Sequence, residues 1–368
     1  MKVRILDKIV AFLVGVLFIF SGLVKLDDPM GTEIKMGEYF EVFANDFAHF
    51  FEWLVPFSMP IGMFLIVLEI VLGVALLLHY RMKITAWVLG LLIVFFTFLT
   101  FYSAFFNKVT DCGCFGDAIP LTPWQSFGKD VILIILIGYL FWRKDKFQSY
   151  LHEQSAVYVL VAATIISIYT GVYAINHLPP IDFRPYAVGE NIAANMLPEE
   201  QPVFEYTFEK DGKLIKSSSY LSEKEGYTYK SHRITNEDKT IPRITDYNVW
   251  NEETGDYTKQ SLEGTRLFFI SYNVQDADKE HMTQIVELIN SLEGEVTTIA
   301  ITSSSTANFE NFRHTYQLAA PYFYGDATVL KAMIRSNPGL MLVRDGTVLG
   351  KWHYNDVPTA DEVELLLQ

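Results

Sequence analysis

The sequence predicts an α-helical membrane bundle followed by an α/β domain outside the membrane. Three observations predict it. Half of the 368 residues are hydrophobic and 15% are aromatic, at a mean hydropathy of +0.20. That apolar surplus lies almost wholly before residue 178, in runs too long for a globular core. From Gly264 onward, strand-like and helix-like stretches alternate in ordinary globular composition. A single soluble domain and a mostly disordered chain are both excluded. A formal charge of −14 argues against nucleic acid as a partner, which calls for basic faces.

Five apolar runs stand out, at 9–25, 56–79, 84–106, 123–142 and 156–176. At about 1.5 Å per residue, runs of about 17–24 residues can cross a hydrocarbon core of about 30 Å. The first is preceded by Lys2, Arg4 and Lys8, as a signal peptide would be. Leu26-Asp27-Asp28-Pro29 follows it, however, instead of a small-x-small cleavage site, so it reads as a retained anchor. The fourth carries Lys129 and Asp130 in its first two turns, which places them near the outer interface, where Lys can snorkel. Its start is marked by Thr122-Pro123-Trp124-Gln125, with Thr at the N-cap, Pro at the first helical position and Gln three residues after the cap. Trp124 and Trp142 stand at its two ends as interfacial anchors.

Basic residues cluster at the N-terminus, at Arg81 and Lys83, and at Arg143, Lys144 and Lys146, on alternate sides of a five-span chain. The positive-inside rule puts those clusters in the cytoplasm of a bacterial inner membrane. The acidic, aromatic 26–55 loop and the 107–122 loop then face outward, and everything after residue 178 is periplasmic. The acidic excess of that last part keeps it soluble but says little about partners. The expected division is 1–147 for a four-span domain, 148–177 for a fifth helix, 178–262 for a connecting β-rich segment, and 263–368 for the α/β domain.

Glu69 lies near the middle of the second span. A carboxylate there costs several kcal/mol, so it is protonated, paired, or lining a wet cavity. It reads equally as a proton or quinone contact and as a neutral side chain bonded to a neighbouring helix; a polar path around it would suit a transporter. Gly15 and Gly22, seven apart on the first span, read as sites of close helix packing.

The sharpest local signal is Thr110-Asp111-Cys112-Gly113-Cys114-Phe115-Gly116-Asp117, in the outward loop before the capped fourth span. With only two cysteines there is neither a disulfide framework nor a Cys-rich zinc site. Outside the cytoplasmic membrane a disulfide survives. Residues i and i+2 have Cα atoms within about 7 Å, close to the upper limit for a bridge, and Gly113 gives the backbone freedom to turn the sulfurs together. A tight ring of this kind would be reduced easily, as catalytic disulfides are. A static disulfide that stiffens the loop, and two thiols on a soft metal, are the other readings. Two thiolates make a poor zinc site, and no metal centre is expected.

In the outer part, three prolines within 179–185 forbid helix as the chain leaves the membrane. The stretch 206–226 alternates around Lys210-Asp211-Gly212-Lys213, a β-hairpin signature. Then come a strand at 266–272, a helix at 278–292, a strand at 296–302, a helix at 309–318, strands at 338–343 and 347–352, and a helix at 360–367. This β-α-β-α-β-β-α order, with Asn337-Pro338-Gly339 before the third strand, resembles the thioredoxin family. Thioredoxins carry Cys-x-x-Cys after the first strand, where this chain has Asn273-Val274-Gln275-Asp276-Ala277-Asp278. The outer domain therefore has no thiol chemistry of its own, and its expected role is to bind a client.

Residues 5–145 resemble the DoxX family and its methylamine-utilisation relative, MauE. The resemblance is carried by Phe18-Ile19-Phe20-Ser21-Gly22-Leu23-Val24-Lys25-Leu26, by Glu69 with Gly73, and by Cys112-Gly113-Cys114-Phe115-Gly116 followed by Thr122-Pro123-Trp124. Together with a thioredoxin-like C-terminal domain, it is similar to DoxX-type membrane proteins of Bacteroidetes. The resemblance implies a four-helix membrane bundle and a part in periplasmic disulfide formation. Membrane disulfide-forming enzymes use a quinone and usually two cysteine pairs. With one pair here, a quinone would take electrons directly from Cys112 and Cys114. The leading expectation is thus a thiol–disulfide oxidoreductase of the bilayer acting on a periplasmic protein client, with Cys112 and Cys114 as the exchangeable pair. The competing one is a non-enzymatic scaffold whose outer domain docks a partner.

Overall fold

Six long helices build the first part of the chain in a computed structural model that describes residues 4–109 and 115–368. They are α1 (Ile5–Asp27), α2 (Pro29–Asp46), α3 (Ser58–Leu77), α4 (Met82–Phe106), α5 (Pro123–Arg143) and α6 (Glu153–Asn176). Among the described residues, five segments are long and apolar enough to cross a membrane: α1, the 3₁₀ turn His49–Phe57 with α3, α4, α5 and α6. Their exposed faces carry large apolar side chains such as Phe12, Phe64, Leu91, Ile135 and Ile166, as lipid-facing helices do. The protein is therefore a membrane protein.

The core of this unit is shared by α1, α3, α4 and α5, where Val14, Phe18, Leu72, Leu76, Leu89, Ile93, Leu133 and Ile137 meet. Glycine sets the closest approach. A Cβ on Gly73 would lie 2.8 Å from the Gly15 carbonyl oxygen, so α1 and α3 touch backbone to backbone. Gly22 is equally closed, against Ile70. At the basic end, Arg143 of α5 grips Asp7 of α1 through Nε (3.1 Å) and Nη2 (2.8 Å), and the Tyr139 hydroxyl donates to the same carboxylate at 2.6 Å. Both charges are buried, and the pair locks the first span to the fourth. The start of α5 is the capping box read from Thr122 and Gln125.

One expectation changes. The 26–55 segment is not a loop: α2 starts on Asp28, whose carboxylate accepts from the Gly31 amide at 3.0 Å, with Pro29 at the first helical position. Met36, Tyr39, Phe40 and Phe43 fall on one buried stripe. Tyr39 donates to the Leu99 carbonyl (3.4 Å), and Phe43 meets Tyr102 edge-on at 5.1 Å. The acidic residues simply occupy the other face. Asp130, expected near the outer interface, is fully buried within the bundle.

The second unit spans Arg184–Gln368 and is rich in sheet. A three-stranded antiparallel sheet holds β1 (Phe204–Lys210), β2 (Lys213–Ser217) and β3 (Thr228–Ile234), in the order β2-β1-β3. Asp211 and Gly212 both have positive φ, the two-residue turn that the hairpin signature demands. The third strand was not foreseen. Short helical turns α7 (Ile192–Asn195), α8 (Glu237–Thr240) and α9 (Thr258–Ser261) fill the connections.

The larger sheet contains β4 (Trp250–Asn251), β5 (Gly255–Asp256), β6 (Thr265–Ser271), β7 (Thr297–Thr302), β8 (Tyr322–Tyr324), β9 (Gly339–Arg344) and β10 (Thr347–His353). Its order is β10-β9-β6-β7-β8-β4-β5, with β6, β7 and β8 parallel and β9 antiparallel to β6. Helices α10 (Met282–Ser291), α11 (Thr306–Tyr316), α12 (Ala327–Met333) and α13 (Ala360–Leu367) complete the unit. Leu267, Phe269, Ile285, Leu288, Phe309 and Leu342 form its core. Every strand and helix read from Gly264 onward is present, and β8 and α12 are additional. Strands on both sides of residue 262 share this one sheet. The Asn337–Pro338 bond is cis.

Candidate functional site: two ion pairs within the helical bundle

Cys112 and Cys114 lie outside the described residues, but both flanks of their segment are described. On one side Val109 is buried, and its carbonyl accepts a hydrogen bond from Ser103 of α4. On the other side Phe115 is buried against Phe20 of α1, with ring centroids 5.6 Å apart. The Lys129 ammonium of α5 stands 5.2 Å from the centre of the Phe115 ring.

Lys129 belongs to a polar set. Its Nζ lies 2.7 Å from Asp130 Oδ1, a contact of charge without hydrogen-bond alignment. Asp130 Oδ2 accepts from the Thr100 hydroxyl of α4 at 2.9 Å. Ser126, one turn before Asp130, is buried, and its hydroxyl has no hydrogen-bond partner among the described residues.

Glu69 belongs to a second set. It is 2% exposed, receives the Ser21 hydroxyl at 2.9 Å, and lies 2.5 Å from the Lys25 ammonium. The carboxylate is thus paired across α1 and α3. Lys25 in turn stands 4.7 Å from the centre of the Phe96 ring of α4, and the Phe96 carbonyl lies 3.1 Å from the Thr100 hydroxyl. Both sets therefore border one residue, Phe96. Of these side chains the sequence reading singled out Glu69 and missed its partners. The signal was available: Ser21 and Lys25 are four apart, so they share a helical face.

Among the described residues no group of three His, Cys, Asp or Glu side chains could hold a metal ion. In the second unit, the stretch 273–278 is held by hydrogen bonds within itself and to neighbouring segments. Asn273 Nδ2 donates to Asp276 at 2.6 Å, the Val274 amide donates to Ser304 Oγ at 3.0 Å, and Asn337 Nδ2 donates to the Asn273 carbonyl at 2.8 Å. Asn337 Oδ1 also accepts from the buried Ser271 hydroxyl at 2.8 Å.

Residues 3–143 match the family model described as methylamine utilisation protein MauE. The N-terminal part thus carries a MauE-family membrane domain; of the two resemblances read from the sequence, the match is to MauE. Protein TlpB of Flavobacterium psychrophilum is 29% identical over 168 residues, which cover 44% of this chain and 42% of that protein. The chain therefore aligns with less than half of that relative's length. No solved structure matches it.

Proposed function

We propose that this membrane protein carries out thiol–disulfide exchange through Cys112 and Cys114, and that its second unit, whose last part we read as thioredoxin-like, binds the client. The observation that carries the proposal is the anchoring of the cysteine segment. Val109 and Phe115 are both buried, and Phe115 lies beneath an ammonium group. A neighbouring cation lowers a thiol pKa and raises its thiolate fraction. The fold reading is supported by the β6-α10-β7 parallel unit followed by the antiparallel pair β9 and β10.

A client thiolate attacks the Cys112–Cys114 bond and forms a mixed disulfide. The second client thiol displaces the remaining cysteine sulfur. The client loses two electrons and two protons, and the membrane pair gains both. A bilayer quinone would supply the two-electron, two-proton acceptor that renews the disulfide. The Ser126 hydroxyl, without a hydrogen-bond partner among the described residues, suits a quinone carbonyl oxygen, with Lys129 one turn along the same helix, and Glu69 with Lys25 is the candidate proton contact. The distribution of Arg81, Lys83, Arg143, Lys144 and Lys146 supports an outward cysteine segment and a periplasmic second unit in a bacterial inner membrane.

Trapping tests the proposal. Single Cys112→Ser and Cys114→Ser variants expressed in cells should differ in the adducts they hold. One should accumulate a mixed disulfide that dithiothreitol releases, and the double variant should hold none. Unchanged client oxidation in the double variant would leave the cysteines a structural role and the protein a docking scaffold.

A further inference from the structure

At the opposite end of the bundle, the turn between α3 and α4 and the segment after α5 enclose a pocket of about 410 Å³. Arg81, Lys83 and Lys144 line it together with Asp145, Ser149 and Phe147. Lys83 is paired with Asp145 at 3.1 Å, and Arg81 with Glu153. Lys144 has no carboxylate within ion-pair distance among the described residues; its Nζ donates to the Phe141 carbonyl at 3.1 Å. Three cations thus face two carboxylates at this mouth. Lys8, 5.8 Å from the centre of the Tyr150 ring, and Lys146 add positive charge around it. The floor is stiff: His79 is buried, stacked on Tyr150 at 4.3 Å and edge-on to Phe147 at 4.7 Å.

The remaining lining is apolar. Met82 and Ile84 line the pocket, and Ile84 and Trp87, on the same helix, are exposed beside it. The pocket therefore presents cations and a hydroxyl at one level and hydrocarbon at the next. It does so where α3 ends and α4 begins, at the depth of a bilayer headgroup. We propose that it binds the phosphate of an anionic phospholipid, with the acyl chains lying along Ile84 and Trp87. A soluble phosphate compound shares the headgroup chemistry but has no use for the apolar side. The positive potential fits an anionic leaflet, and each basic side chain near such a surface contributes to retention.

The test titrates phosphatidylglycerol, phosphatidylcholine or inorganic phosphate into the purified full-length protein in neutral detergent and follows the unfolding temperature. Phosphatidylglycerol should raise it saturably and phosphatidylcholine should not. Lys83→Gln/Lys144→Gln should weaken the apparent affinity about thirtyfold, on the scale expected for two interfacial cations. Lys8→Gln/Lys146→Gln, which removes the same charge from the same end but outside the lining, should weaken it distinctly less. Asp145→Asn removes a competing carboxylate and should tighten binding, which keeps the proposal testable if the double lysine variant does not fold. Equal effects of the two lysine pairs, equal responses to the two lipids, or displacement of the lipid by millimolar inorganic phosphate would each overturn it.

Discussion

Lys25 of α1 and Glu69 of α3 form a buried ion pair at 2.5 Å, with the Ser21 hydroxyl completing the carboxylate's shell. Removing one partner strands the other charge among buried side chains, at a cost of about 3–5 kcal/mol. Glu69→Leu and Lys25→Met are therefore each expected to lower the unfolding temperature in detergent sharply, and the two together to recover much of the loss. Thermal unfolding followed by size-exclusion chromatography measures all four corners of the cycle. Additive single and double effects would show that the pair is not coupled.

The glycines of the bundle separate into two kinds. Any side chain on Gly73 meets the Gly15 carbonyl, which cannot swing aside, whereas a Cβ on Gly90 meets nothing within 4 Å. Gly73→Val should part α1 from α3 and cost about 1–3 kcal/mol or more. Gly90→Ala should be neutral or mildly stabilising, since Ala is the better helix former by about 1 kcal/mol. Equal melting of the two variants would refute the backbone contact.

The spans were legible because apolar length alone specifies them, and α5 because Thr122, Pro123 and Gln125 announce its start. Helix α2 was equally announced by Asp28-Pro29, yet its carboxylates drew the reading towards charge and away from period. Met36, Tyr39, Phe40 and Phe43 carry that period. β8 is three residues and α12 seven, too short for any periodic pattern to rise above chance. At the candidate site Glu69 was visible because a carboxylate inside a span is costly. Its partner Lys25 was read only as part of a family-like run, since contacts between helices 44 residues apart leave no mark in local sequence. The partner of Asp130 was hidden for the same reason: only packing shows that Thr100 waits opposite it.

Ser126 gives a prediction in which stability and function part. Its buried hydroxyl has no hydrogen-bond partner among the described residues, a desolvation cost that Ala would remove. Ser126→Ala should be neutral or raise stability by about 1 kcal/mol. If the hydroxyl serves an acceptor as proposed, the same variant should slow reoxidation of Cys112 and Cys114 after a reductant pulse, read by thiol alkylation. A variant that is more stable and reoxidises at the wild-type rate would remove Ser126 from the proposal.

Glu190 sets the pH response of the segment that opens the second unit. Its carboxylate accepts from Asn195 Nδ2 and from Arg243 Nη1, both at 2.9 Å, while the Glu190 carbonyl accepts from the Val348 amide of β10. The Asn195 hydrogen bond foremost, and then the Arg243 guanidinium, hold its pKa below the usual glutamate range, against partial burial that raises it. A carboxyl group with a lowered folded value is protonated first in the unfolded chain as pH falls. Its stabilisation is therefore whole above the ordinary glutamate range and is lost as pH falls through the lowered folded value. Hydrogen exchange of residues 187–195 in the full-length protein should accelerate over that acidic window. Glu190→Gln should abolish this pH dependence while leaving exchange elsewhere in the sheet unchanged. Arg243→Met should shift the window upward, towards the ordinary glutamate value, by less than the full effect because the guanidinium is partly exposed. A pH profile identical in the wild type and Glu190→Gln would assign the response to another group.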